Sequence, residues 1–300
     1  MKSLNNIVQR FYHGTGKRLL LVNNKGKGTL FLVGTPLGNL KDITLRALET
    51  LQSVDLIAAE DTRQTQKLLS HYQIQKPLTS YYEHNKKAKG PWLIEKLSAG
   101  ENIALVSDAG MPGVSDPGED LVKACIKEEI PLSVIPGPAA FLTALVASGL
   151  DCSSFVFVGF LPPRKQEKEK LLAELKWEPR TVIFYESPHR LQKTLAEIKE
   201  AWGERECCLA RELTKIFEEY QRGTLSELIQ YWQNRSVKGE ITLLIAGACD
   251  EAKQAITAEE MIACFVYLTK KGLGKKEAIK ETARLLGVPK REVYNLVMIK

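Results

Sequence analysis

Short apolar runs, each ending at glycine, proline or charge, set the rhythm of the first half of the chain. Residues 29–33, 54–59, 103–106 and 132–135 are brief and mostly apolar, which predicts strands, 103–106 suited to a buried one, while 78–82 leads into a polar basic loop. The stretches between them predict helices at 44–52, up to residue 72, at 92–98, at about 117–128 and at 142–148. Strands and helices alternating at such short spacing predict an α/β domain with a mostly parallel sheet over 28–150. Strand-like runs at 155–161, 181–186, 207–210 and 238–246 predict a second α/β domain over 151–250. Residues 256–300 change texture, predicting helices at 258–269, 275–285 and 290–300 parted by Gly272, Gly274 and Gly287-Val288-Pro289. Residues 1–27 carry none of these patterns and read as a flexible basic extension.

Composition narrows the setting. Three hundred residues suit two domains and a small third. No apolar run nears the ~20 residues that span a bilayer, and the first residues lack the apolar centre of a signal peptide. The six cysteines show no C-x-x-C spacing, which predicts reduced thiols in the cytoplasm and no zinc site. Charge is uneven: the net +6 combines six basic residues and no acid in 1–28, +4 in 251–300, and −4 between them. Basic ends on a slightly acidic body suit an anionic partner such as nucleic acid, although solvated surface charge gives the same count.

Candidate chemistry sits where the strands end. After 103–106 comes Ser107-Asp108-Ala109-Gly110-Met111-Pro112-Gly113-Val114-Ser115-Asp116-Pro117-Gly118. An open α/β sheet binds its ligand at such ends, and Asp108 and Asp116 offer acceptors suited to an amine, a hydroxyl or a cation rather than to phosphate. Glycine at 110 and 113 would let backbone approach a ligand. After the first strand, Pro36 stands where a dinucleotide fingerprint needs its second glycine, which disfavours hydride transfer. Residues 13–18 lack the full spacing of a phosphate loop, which disfavours a nucleoside triphosphatase. Glu60, Asp61 and Arg63 could face a cleft, or Asp61 could cap the following helix. Ala139 and Ala140 leave room for a flat ligand or for tight helix packing, and His189 is a surface residue or a base. Lysines and arginines at 270, 271, 275, 276, 280, 284, 290 and 291 suit either a small RNA-binding module or an oligomerisation unit.

Taken in order, Val33-Gly34-Thr35-Pro36-Leu37-Gly38-Asn39-Leu40, Ala59-Glu60-Asp61-Thr62-Arg63, Ser107-Asp108-Ala109-Gly110-Met111-Pro112 and Pro136-Gly137-Pro138-Ala139-Ala140 form a recognisable series. It continues through Gly159-Phe160-Leu161-Pro162, Phe184-Tyr185-Glu186-Ser187-Pro188-His189-Arg190, Ala210-Arg211-Glu212-Leu213-Thr214-Lys215 and Lys238-Gly239-Glu240. The series resembles the ribosomal RNA small subunit methyltransferase I family of the tetrapyrrole-methylase fold group. Met111 departs from the threonine common there, and Ala139 from cysteine or serine.

The resemblance implies two α/β domains with S-adenosylmethionine (SAM) in the cleft between them, a homodimer, and no metal. It implies methyl transfer to the ribose 2′-hydroxyl of a cytidine in the decoding region of 16S rRNA, on the small ribosomal subunit. Carried over by position, cofactor contacts fall on Gly34, Thr35, Pro36 and Gly38, on Asp108, Ala109, Gly110, Met111, Pro112 and Val114, and on Ala139, Ala140 and Phe141. Further contacts fall on Phe160, Tyr185, Ala210, Arg211, Gly239 and Glu240. Candidates for the chemistry at the ribose are Glu60, Asp61, Arg63, Glu186, Arg211, Glu212 and Lys215. Two alternatives stand beside this reading: a methyltransferase acting on a tetrapyrrole precursor, and a non-catalytic RNA-binding assembly factor.

Overall fold

A computed structural model describes residues 26–248 and 258–298. The expected extension at 1–27 and the motif at 13–18 therefore fall almost wholly outside the described residues, as does the segment leading into the terminal helices. The chain divides between Ala139 and Ala140 into two compact units.

In the first unit, β1 (Leu30–Val33), β2 (Leu56–Ala59), β3 (Leu78–Ser80), β4 (Ile103–Val106) and β5 (Leu132–Ile135) form one sheet in the order β3-β2-β4-β1-β5. Every pairing in it is parallel, as the spacing predicts. Helices α1 (Leu45–Ser53), α2 (Thr62–His71), α3 (Lys86–Ser98) and α4 (Glu119–Lys127) fill the crossovers. The period of two along a strand explains the continuous apolar runs. Ile103 and Leu105 of β4 enter a core with Leu93, Leu97 and Leu121, while Ala104 and Val106 enter another with Val33, Leu51 and Leu69. Each fully buried leucine or isoleucine contributes about 1.5–3 kcal/mol relative to exposure. Because all five strands run the same way, the loops after β1, β2, β3, β4 and β5 gather along one edge of the sheet.

Helix α3 begins at Lys86, six residues before the expected start. Gly90 and Pro91 signal a break, yet both lie inside the helix. A proline forfeits its own N–H and strains one turn, and packing of Leu93 and Leu97 in the core outweighs that cost.

The second unit opens with α5 (Ala140–Ser148), followed by β6 (Phe155–Phe160), α6 (Lys165–Leu175), β7 (Thr181–Glu186), α7 (Leu191–Trp202), β8 (Glu206–Arg211), β9 (Glu219–Thr224), α8 (Leu225–Trp232) and β10 (Ile241–Ile245). The border lies ahead of α5 rather than near residue 150, because α5 packs on β8 and β10 of the second sheet. That sheet has the order β6-β7-β10-β8-β9, and only β6 and β7 pair in parallel. Strand β9, reading E-Y-Q-R-G-T, has no apolar run to announce it. It forms because β8 offers an edge and because Thr224, at its end, closes a capping box with Glu227 at the start of α8.

Helices α9 (Ala258–Lys270), α10 (Lys275–Leu286) and α11 (Lys290–Met298) close the described chain around Met261, Ile279 and Val293. Gly287 ends α10 in the left-handed region, and a side chain there would press on Trp177. The basic residues singled out from 270 to 291 are all exposed. Among the described residues no helix is long and apolar enough to cross a membrane.

Candidate active site

Three loops of the first unit meet at the sheet edge. Thr35 and Gly110 pair as an isolated antiparallel bridge, with Thr35 N–H to Gly110 O at 2.8 Å and Gly110 N–H to Thr35 O at 3.1 Å. The Thr35 hydroxyl adds a bond to Ser107 O at 3.1 Å. Gly34 stands directly against Gly137, and a Cβ at Gly34 would lie 2.7 Å from the Gly137 Cα and from the Met111 Sδ. Thus Gly34, buried with Thr35 and Pro36, is a glycine because two loops touch there. Gly110 and Gly113, both at φ +84°, are glycines because the turn requires a left-handed backbone. Ser115, at φ +61°, carries similar strain without that freedom. The geometry of the loops alone already requires these glycines.

Carboxylates crowd the same edge. The Asp61 N–H donates to Asp108 Oδ1 at 3.0 Å, and the Asp108 N–H points to Glu60 Oε2 at 3.5 Å. Burial and the charge of Asp108 push the Glu60 carboxyl above its ordinary value. Burial, then the charge of Glu60, push Asp116 up to about 7 against a bond from the Ser107 hydroxyl. Like charges held this close favour a cation among them. Among the described residues no cluster of His, Cys, Asp or Glu has the arrangement of a metal site. SAM brings a sulfonium and an ammonium, so the donor set at this edge fits an organic cation of that kind.

Asp61 performs the capping role allowed for it: its Oδ1 accepts from Arg63 N–H at 2.8 Å at the start of α2. Its side chain also chelates the Arg63 guanidinium, at 3.3 and 3.0 Å, which holds the Asp61 carboxyl below its ordinary value. Arg63 is largely exposed.

In the second unit, β6 carries a bulge between Phe157 and Gly159, with Gly159 at φ +76°. Beyond it Phe160 is exposed, 5.6 Å between ring centres from Tyr185, which also meets Phe157 at 5.0 Å. Phe141 of α5 stacks on Phe157 at 4.6 Å. Glu186, one residue past Tyr185, is buried: it accepts from Ser187 N–H at 2.7 Å and the Thr194 hydroxyl at 2.5 Å, with Arg190 Nε at 3.5 Å. Those partners fix the turn into α7 and leave Glu186 a structural carboxylate in this structure. His189 is exposed.

The turn between β8 and β9 is tightly braced. Arg211, at the end of β8 beside Ala210, holds Glu219 through two bonds of 3.1 and 2.7 Å. Burial opposes the Glu219 charge, but the bonds from Arg211 and Tyr231 outweigh it and hold the carboxyl low. Glu212 and Thr214 have positive φ, +52° and +65°. Glu212 Oε1 accepts from Lys215 Nζ at 2.8 Å and from Glu240 N–H at 3.1 Å, while Lys215 also reaches Glu240 Oε2 at 3.0 Å. Burial works against the Lys215 charge, yet its two carboxylate partners hold the ammonium above its ordinary value. Gly239, at φ +89°, leaves the space this network fills: a Cβ there would sit 2.1 Å from Glu212 Oε1. Beyond the braced turn, Ile216 and Phe217 are 95% and 71% exposed.

The structure thus brings Glu60, Asp61 and Asp108 together with Asp116, and brings Arg211, Glu212, Lys215, Gly239 and Glu240 together with Glu219. Sequence reasoning missed Glu219 as the partner of Arg211. The two are paired positions across β8 and β9, a relation visible only once β9 is known to be a strand.

Comparison with known proteins agrees with this architecture. Residues 29–229 match the tetrapyrrole (corrin/porphyrin) methylases. Ribosomal RNA small subunit methyltransferase I of Bacillus subtilis (strain 168) is 48% identical over 292 residues, covering 95% of this chain and 99% of its own. The protein of that name from Synechocystis sp. (strain ATCC 27184 / PCC 6803 / Kazusa) is 48% identical over 270 residues, covering 90% and 97%. Among solved structures, the native uroporphyrin III C-methyl transferase from Thermus thermophilus shares the fold, with a TM-score of 0.54 at 17% identity over 72% of this chain and 97% of its own. Diphthine synthase gives 0.56 at 14% identity over 73% and 90%.

Proposed function

Because the chain belongs to the ribosomal RNA small subunit methyltransferase I family of the tetrapyrrole methylases, we propose that it moves the methyl group of SAM to the ribose 2′-hydroxyl of a cytidine in 16S rRNA. SAM, when bound, supplies an electrophilic methyl on a sulfonium. The observation that carries the reading is 48% identity across nearly the whole chain to relatives named for ribosomal RNA, against 17% to an enzyme named for a porphyrin. That contrast favours RNA over a tetrapyrrole substrate, and the intact loops and carboxylates of the first unit favour an enzyme over an assembly factor.

For the chain's own residues the proposal is specific. Gly34, Thr35, Pro36, Gly38 and the segment Asp108 to Val114 would hold the cofactor from the first unit. Ala140, Phe141, Phe160, Tyr185, Ala210, Gly239 and Glu240 would do so from the second, with Ala139 at the border between the units. Asp108 and Asp116 suit the cationic end of SAM. Orientation of oxygen, methyl carbon and sulfur in line can lower the barrier by roughly 7–11 kcal/mol.

A ribose hydroxyl is a weak nucleophile, and a matched base adds about 10²–10⁴-fold. Of the candidate acids, Asp61 is spent on Arg63, Glu186 on its buried partners and Glu212 on Lys215. Glu60 keeps a raised pKa and one long contact, which supports it as the group that receives the hydroxyl proton. Arg211 and Lys215, each fixed in place by carboxylate partners, suit the RNA backbone. A homodimer in the cytoplasm belongs to the same proposal, and the exposed pair Ile216 and Phe217 is a surface that a second copy could cover.

Radiolabelled SAM offered with small ribosomal subunits, or with a uroporphyrin, tests the substrate class. Label in 16S rRNA, recovered as a 2′-O-methylated cytidine after digestion, is expected. Label in the porphyrin alone, or in neither, would overturn the reading.

A further inference from the structure

A groove of about 500 Å³ runs between α3 and α4 of the first unit, apart from the loops that the proposed reaction uses. Its floor is apolar, with Pro91, Ile94, Leu121 and Ala124, and it widens at Gly90, where a Cβ would meet nothing within 4 Å. Pro91, lacking an N–H, donates nothing to the Lys87 carbonyl one turn back, so a backbone acceptor is spared at the rim. The Tyr81 hydroxyl, beside Asp120 and Lys86, is buried and has no hydrogen-bond partner. A buried polar atom of that kind calls for a partner.

Charge distinguishes the rim. Lys86 is spoken for by Asp120 at 2.8 Å and Glu83 at 2.9 Å. Lys87 and Lys127, both exposed on the rim, make no ion pair or hydrogen bond among the described residues. Carboxylates share the rim, Asp120 paired with Lys86 and Glu128 exposed beside Lys127, but three lysines outnumber them. Lys87 and Lys127 across an apolar slot suit phosphates on either side of a base or sugar. Topology adds direction: α3 follows β3 and α4 follows the loop after β4, so the Lys86 end opens at the edge where the strand-end loops gather.

We infer that the groove between α3 and α4 is a second nucleotide subsite, taking one unpaired nucleotide of single-stranded RNA that flanks the methylated position. The inference rests on the reading of the chain as an RNA methyltransferase, but its test does not require turnover.

The probe is hexauridylate, bound to the full chain across a salt series, with SAM binding measured in parallel. Gly90→Leu fills the groove, and because a Cβ just before Pro91 disfavours helical backbone, its melting temperature is measured alongside. Lys87→Glu/Lys127→Glu removes the rim cations without touching the floor. Each is expected to weaken oligonucleotide binding at least tenfold, and the double variant to flatten the salt slope by about 0.7 per lost contact. SAM affinity should stay within twofold. Photocrosslinking of 4-thiouridine-substituted oligonucleotide should mark 86–94 or 120–128, and lose that mark in Gly90→Leu.

Unchanged affinity in both variants, or no binding of hexauridylate by the wild type, overturns the subsite. Competition by tripolyphosphate as strong as by hexauridylate also overturns it, leaving a phosphate-binding surface only. If these results support the subsite while small subunits remain unmethylated, the failure lies with the proposed reaction and not with the groove.

Discussion

The backbone N–H of Asp61 donates to the carboxylate of Asp108 at 3.0 Å, tying the end of β2 to the end of β4. The bond orients Asp108 while Asp61 keeps its own carboxylate for the α2 cap and Arg63. One substitution therefore loosens two strand ends. Asp108→Ala is expected to lower stability by about 1–2 kcal/mol and to weaken SAM binding at least tenfold. Thermal melting and calorimetric titration check both, and normal SAM affinity would move the cofactor away from this edge.

Asp116 makes stability depend on pH. Its folded pKa is raised from 3.8 to about 7, so the folded chain holds this proton more tightly than the unfolded chain. Its contribution is fully present below about pH 4 and is lost as pH rises through 7. Asp116→Asn should therefore be the more stable protein at pH 8, by about 1–2 kcal/mol after allowance for solvent screening, with the difference gone by pH 4. Denaturant melts at the two pH values measure it. A bound cation favours the ionised carboxylate, so wild-type SAM affinity should rise from pH 6 to pH 8 and stay flat in Asp116→Asn.

Glu60 and Arg63 separate chemistry from capping. Glu60→Gln should cut single-turnover methylation by about 10²-fold or more while SAM affinity holds. Arg63→Ala should leave turnover within a few-fold, since its partner is Asp61. Equal losses in both variants would return this strand end to a purely structural role.

Gly239 tests the braced turn. Gly239→Ala places a methyl where the Glu212 carboxylate lies, at a backbone angle few side chains adopt. The expected result is loss of the Glu212–Lys215 bond and a methylation rate at least tenfold lower, with the melting temperature only a few degrees down. Double-mutant comparison with Glu212→Ala should show the two effects to be strongly non-additive.

Much of this was legible in the chain itself, for reasons that particular residues make plain. The parallel sheet follows from runs such as Ile103 to Val106, because a strand buried on both faces has no polar alternation to blur it. The Asp61 cap follows from a carboxylate placed just before a helix. What was hidden depends on partners far along the chain. Strand β9 exists because β8 offers it an edge, and the Arg211–Glu219 pair exists because β9 does. Gly34 touches Gly137 and Met111, which lie 103 and 77 residues further along the chain, and no local pattern reports either contact.

The contact between Gly34 and Gly137 also bears on how this chain can vary. Neither position accepts a side chain while the other loop stays in place, since a Cβ on either lands within 3 Å of the facing backbone. A change at one glycine is not rescued by shrinking its neighbour, because nothing is smaller than glycine. The two positions therefore behave as a single inherited character, closed to stepwise exploration. Diversity in this part of the molecule has to enter through the side chains around them, and Met111, whose sulfur shares the same contact, is the flexible member of the three.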